Sequence, residues 1–110
     1  MYIRCAFFEG NAKPGQEKAF HDFVTRNLLS LWTKFPGATD VRVLSQKEAD
    51  TDDPHYAMVL AIQYPDMVAI ERAMQSAERA KSRELTAELV KMFDGRIFHT
   101  IFDVRHNVTV

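Results

Sequence analysis

Apolar and polar residues alternate along this chain in two distinct periods, and the switches between them mark out the elements. IRCAFF (3–8) is short, rich in aromatic and branched residues and followed by Gly10, which reads as a strand. Pro14-Gly15 then signals a turn. From Gln16 to Phe35 the apolar residues Phe20, Phe23, Val24, Leu28, Leu31 and Phe35 recur at three- and four-residue spacing, which predicts one amphipathic helix ended by Pro36-Gly37. TDVRVLSQ (39–46) alternates and predicts a second strand, and the acidic KEADTDDP reads as a mobile hairpin connection. HYAMVLAIQY (55–64) is almost continuously apolar, the pattern of a strand buried on both faces.

Pro65-Asp66 opens the next helical stretch, with Asp66 as its N-cap. Between Met67 and Phe93 the helical phase slips near Gln75–Ala77, so we expect a short helix, a break and a second helix stopped by Asp94-Gly95. RIFHTIFDV (96–104) reads as the fourth strand and HNVTV as a tail. The order β-α-β-β-α(α)-β is the split βαβ arrangement of an α+β, ferredoxin-like domain: one antiparallel sheet with the helices on one face. The other face of such a sheet should be polar. Here it is not, because strand three is apolar on both faces, and strand four sets Ile97 and Ile101 against Phe98 and Phe102. A second copy of the chain, docked sheet to sheet as a homodimer, is the economical cover.

Composition narrows the function. A chain of 110 residues, 46% apolar and 26% charged, is one domain (1–110) large enough for its own core. The net charge of −1 comes from interspersed residues, and no basic run exists to track a phosphate backbone, so we expect no nucleic-acid partner. Arg4 and Glu9 interrupt the first apolar run too early for a signal peptide, and no window nears the ~20 apolar residues of a membrane span, so we expect no membrane partner. The one cysteine, Cys5, fits a reducing, cytoplasmic setting.

With the element order in place, the sequence resembles the dimeric α+β barrel superfamily: EthD-like proteins, antibiotic-biosynthesis-type monooxygenases and stress-responsive A/B barrel proteins. The likeness runs through LLSLWTKFPGATDVRVL (28–44), YAMVLAIQYPDMVAIERAM (56–74) and MFDGRIFHTIFDV (92–104), and is greatest to EthD-like proteins. It implies a homodimer with a small pocket in each subunit between sheet and helices. It also implies an apolar or aromatic organic ligand and, in members with known activities, cyclase, isomerase or monooxygenase chemistry that often needs no cofactor; others bind haem. EthD-like proteins typically carry a tryptophan and, four residues on, a histidine in the first helix. Phe23 and Asn27 hold that spacing here, which puts chemistry at that histidine in doubt.

The candidate chemistry lies in a few polar side chains among apolar ones. His99 shares a strand face with Ile97 and Ile101. On the helix side it would line the pocket, either as a general base or as a buried neutral imidazole bonded to a carbonyl or tyrosine. On a helical wheel Asn27 falls about 40° from the centre of the first helix's apolar stripe, so its amide needs a partner: a ligand oxygen, a backbone group or water. His21 and Trp32 lie at the edge of that stripe, and Tyr56 and Tyr64 of strand three can add hydroxyls. His99 and Asn27 are thus the catalytic candidates, and His21, Trp32, Tyr56 and Tyr64 the substrate-binding ones.

The four histidines show neither H-x-H nor H-x-x-x-H spacing, so no metal site is expected, and no glycine-rich phosphate loop is present. We expect no cofactor, with His99 the one residue placed to serve as a haem ligand. Cys5 on an apolar strand reads as an inert small hydrophobe rather than a nucleophile. Two functions stay open: a cofactor-independent enzyme acting on a small apolar molecule, and a non-catalytic binder or accessory of an oxidative degradation pathway.

Overall fold

The computed structural model describes residues 1–110. The elements follow in the order β1 (Tyr2–Ala12), α1 (Glu17–Phe23), a π-helical turn (Val24–Leu28), α2 (Leu29–Trp32), β2 (Asp40–Leu44), β3 (Tyr56–Tyr64), α3 (Met67–Met74), α4 (Ala77–Val90) and β4 (Phe93–Asp103). The four strands form one antiparallel sheet in the order β2-β3-β1-β4, so the first strand lies inside the sheet between β3 and the last strand. This is the α+β, ferredoxin-like fold expected from the periodicity, with the helices packed on one face. No helix is long and apolar enough to cross a membrane.

The π-helical turn explains a departure from the wheel. In an ideal α-helix four residues overshoot one turn by about 40°, so a stripe spaced by four drifts around the helix. The wider π turn takes up the overshoot locally. Phe20, Val24, Leu28 and Trp32 are therefore all buried at successive four-residue steps. The expectation that Asn27 sits on the buried face is corrected by the same turn: Asn27 is exposed, and its Nδ2 donates to the Phe23 carbonyl at 3.3 Å. Trp32, expected at the stripe's edge, is 3% exposed.

The break near Gln75–Ala77 is real. Asp66 caps α3, its Oδ1 accepting from the Ala69 N–H at 2.8 Å, and Ser76 caps α4 by accepting from the Arg79 N–H at 3.1 Å. The last helix does not stop at Asp94-Gly95, however. It ends at Val90, and β4 begins at Phe93. Gly95 lies opposite Gly10 of β1, both at positive φ (155° and 135°). A Cβ on Gly10 would collide with the Asp94 carbonyl, and one on Gly95 with the Glu9 carbonyl. The glycine pair lets two backbones close to a distance no other residue permits.

The helix-facing side of the sheet carries Ala6 and Phe8 of β1 and Met58, Leu60, Ile62 and Tyr64 of β3. They pack against Phe20, Val24, Leu28 and Trp32 and against Ile70, Ala73 and Leu89 of the later helices. The opposite side has no cover within the chain. On it Phe7 stacks on Phe98 at 5.0 Å and meets Phe102 edge-on at 6.4 Å. Phe102 is 48% and Leu44 49% exposed. A register shift at Phe8/Glu9 makes Ala57 the extra residue of a β-bulge, so Tyr56 pairs with Glu9 and its ring meets Phe7 at 5.6 Å. Tyr56 therefore lies on the open face, not on the helix-facing side that strict alternation with Met58 predicts.

Candidate functional site

Small residues at two central positions leave room between helices and sheet. Ala6, on β1, has Leu60 on one side and His99 on the other. Above it α4 presents Ser82, the one buried residue outside the hydrophobic core, rather than a large apolar side chain. The result is a cavity of about 340 Å³ lined by 14 residues. Phe8, Phe35, Leu60, Ile62 and Ile97 give it apolar walls. Its polar side is built by Arg4 of β1, Tyr64 of β3, His99 of β4, and Arg79, Ser82, Arg83 and Thr86 of α4. The α4 residues recur at three- and four-residue intervals, so one face of that helix looks into the cavity.

Several of these groups are tied down. Trp32 Nε1 donates to Ser82 Oγ at 3.0 Å, joining the first helical rod to α4. Thr86 Oγ1 donates to the Ser82 carbonyl at 2.8 Å, and Arg79 Nη1 donates to the Met74 carbonyl at 3.3 Å. Tyr64 is not tied. Its side chain is fully buried and its hydroxyl has no hydrogen-bond partner. The expected bond between His99 and a tyrosine is therefore not made to Tyr64.

His99 sits on the helix-facing side with Ile97, at the cavity's rim; it is exposed, not the buried imidazole the sequence also allowed. Its pKa is pushed down from 6.5 to about 4, first by partial burial and then by the positive charges of Arg4 and Arg79. Arg4 is itself pushed down by burial and by Arg79. Burial raises the pKa of Tyr64, against the opposing pull of the two arginines, so its phenol stays protonated and can donate. At neutral pH the site therefore holds a neutral imidazole, a neutral phenol and three guanidinium groups.

Of the residues singled out in the sequence, the structure brings together His99, Tyr64 and Trp32. It leaves out Asn27, and it puts His21 and Tyr56 in a different cleft of about 370 Å³ with Asn11, Glu17 and His55. His21 is exposed there and rests edge-on against Phe20 at 5.2 Å. The sequence reading missed Arg4, Arg79 and Arg83. The signals were present: Arg4 alternates with Ala6 and Phe8, and Arg79, Ser82, Arg83 and Thr86 form a polar stripe at helical spacing. No three histidine, cysteine or acidic side chains stand close enough to hold a metal ion.

No protein-family model matches this chain, and no curated protein matches it by sequence. Solved structures do match in shape. An ethyl tert-butyl ether D (EthD) family protein from Bacillus halodurans superposes with a TM-score of 0.68 at 16% identity, covering 94% of this chain and 98% of its own. An antibiotic biosynthesis monooxygenase gives 0.63 at 16% identity over 94% and 97%. SnoaB, a cofactor-independent oxygenase from Streptomyces nogalater, gives 0.65 at 17% identity over 97% and 96%. The chain thus has the ferredoxin-like fold of EthD-family and antibiotic-biosynthesis-monooxygenase structures across nearly its whole length.

Proposed function

We propose that this protein binds a small hydrophobic or aromatic organic molecule in the cavity between its helices and sheet. His99 exchanges a proton with that ligand in a reaction that needs no cofactor. The observation that carries this reading is the cavity itself: about 340 Å³, walled by aromatic and branched side chains, with its polar groups converging on one side. That is the size and make-up of a small-molecule site.

The chemistry follows from charge. A neutral imidazole can take a proton from an acidic carbon or phenol, leaving the electron pair on the ligand as an enolate or phenolate. An imidazolium beside Arg4 and Arg79 is costly by itself, and the new anion offsets it. Returning the proton to another atom completes an isomerisation or ring closure with nothing else consumed. The occurrence of a cofactor-independent oxygenase on the same fold supports this class of chemistry. Asn27, outside the cavity, has no part in the reading.

A second reading, binding without turnover, is favoured by one observation. No hydrogen bond links Tyr64 to His99, and a general base is usually oriented by such a partner. In either case the working unit is a homodimer in the cytoplasm. The aromatic, uncovered sheet face supports the dimer, and the single buried cysteine supports a reducing compartment.

The test is saturable binding of the neutral apolar fluorophore N-phenyl-1-naphthylamine to the native protein and to Leu60→Trp, which fills the cavity. Saturation at one site per chain, lost in the filled variant, is the expected result. Equal binding by both would remove the cavity as the site. His99→Gln separates the two readings: product formed by the parent and lost in the variant, with binding kept, marks the enzyme, whereas binding without product in both marks the binder.

A further inference from the structure

The polar side of the cavity carries charge of one sign. Arg4, Arg79 and Arg83 line it, and none of the 14 lining residues is acidic. Acids are not scarce, since the chain has 15 against 14 basic residues. The ion pairs of the molecule engage Lys18, Arg42, Lys81, Lys91 and Arg96, and leave these three arginines without a carboxylate. Two half-buried guanidinium groups near one another raise each other's energy. A structure that keeps them together and gives them no acid has left the counter-charge to something else.

A second observation points the same way. Tyr64 belongs to the wall of the same cavity, and its hydroxyl is fully buried with no partner. Arg4 lies opposite Ile62, one diagonal step across the sheet from Tyr64, and both line the cavity with Arg79. A buried hydroxyl is almost always satisfied, so an orphan at the wall of a cavity marks where an acceptor belongs.

We propose that the natural ligand is an organic carboxylate: an apolar or aromatic body against Phe8, Phe35 and Leu60, with its carboxylate held by Arg4 and Arg79 and accepting the Tyr64 O–H. The planar guanidinium fork matches a carboxylate, and such charge-assisted bonds are the strong ones. Arg83, exposed on α4, draws the anion to the mouth. The inference rests on the reading that the cavity holds a small, largely apolar molecule, and it names the group that fixes that molecule's orientation. His99, a diagonal neighbour of Arg4 across the sheet, then meets the ligand beside its carboxylate, and the bound negative charge makes its protonation easier.

Two probes of one shape test it: 4-tert-butylbenzoate and the neutral 4-tert-butylbenzyl alcohol, titrated at pH 7.5 and read by the fluorescence of Trp32, the sole tryptophan, which lines the cavity. The carboxylate is expected to bind at least about tenfold more tightly. Arg4→Met and Arg79→Met are each expected to bring the two within about threefold while keeping the alcohol's affinity, which shows that the variants fold. Tyr64→Phe should cut the preference less. The His99 pKa, followed by NMR, should rise with the benzoate and not with the alcohol. Equal affinity for both probes, or a preference that survives both arginine substitutions, overturns the carboxylate. If neither probe binds, the cavity reading fails, and the carboxylate proposal falls with it.

Discussion

Trp32 Nε1 donates to Ser82 Oγ at 3.0 Å across 50 residues of sequence, and both residues are buried. The bond ties the first helical rod to α4 directly over the cavity, so it holds the roof while the space beneath stays open. Ser82→Ala leaves the indole N–H buried without an acceptor, a cost on the order of 1–3 kcal/mol. We expect a drop of that size in unfolding free energy by urea denaturation. Ser82→Thr, which keeps the hydroxyl, should recover most of it. A Ser82→Ala protein as stable as the parent would show that water replaces the hydroxyl.

The π-helical turn makes opposite predictions for two neighbours that an ideal wheel places on either side of one apolar stripe. Leu28 is 0% exposed, whereas Asn27 is exposed and bonded only to its own helix. Leu28→Ala should cost roughly 2–5 kcal/mol through the cavity it leaves. Asn27→Ala should change stability by less than about 0.5 kcal/mol. Comparable losses at both positions, measured by thermal or chemical unfolding, would mean the rod is a regular α-helix with Asn27 turned inward.

How much the sequence disclosed depended on how regular the local geometry was. The order of strands and helices was legible because periods of 2 and 3.6 dominate the pattern, and Asp66 announced its own cap. What stayed hidden were local irregularities that periodicity assumes away. The π turn moved Asn27 out, the bulge at Ala57 moved Tyr56 to the open face, and the Gly10–Gly95 contact looked like a helix stop. His99 stood out because it is polar in an apolar strand. The arginines did not, because a charge on a helix is ordinarily solvated, and only the packing of α4 over Ala6 shows which of its faces is enclosed.

His99 sets a pH dependence whose sign follows from its environment. Its pKa in the folded chain, about 4, lies below the ordinary 6.5, so between these values the unfolded chain binds more protons than the folded one. The stability this group contributes is complete above pH 6.5, falls as pH drops toward 4, and levels off below. Water at the cavity rim screens part of the effect, so a measured pKa is expected between about 4 and 6.5. In NMR titrations, with His99 assigned by its absence in His99→Gln, Arg4→Met and Arg79→Met should each move that pKa upward. Burial remains, so neither should restore 6.5. A value unmoved by both would leave burial as the whole cause, and a value above 6.5 in the parent would contradict the arrangement.

The uncovered sheet face makes the last prediction, and Phe102 is the residue to change. Phe7, Phe98 and Phe102 form one aromatic patch with Leu44 across the sheet, and the chain offers nothing to bury it. Phe102 is half exposed in the lone subunit, so Phe102→Lys removes little from the fold of one copy. In a sheet-to-sheet dimer the same substitution places a charge, and its two-fold mate, inside an apolar interface, where an unpaired charge costs several kcal/mol. Sedimentation should therefore find a dimer for the parent and a monomer for Phe102→Lys, with the circular dichroism of both alike. Cys5 gives a second reading. It lies on the same face, and burial raises its thiol pKa. It should react with a thiol reagent faster in the monomeric variant than in the parent. A parent that sediments as a monomer, or a variant that remains a dimer, would assign this face to some other cover.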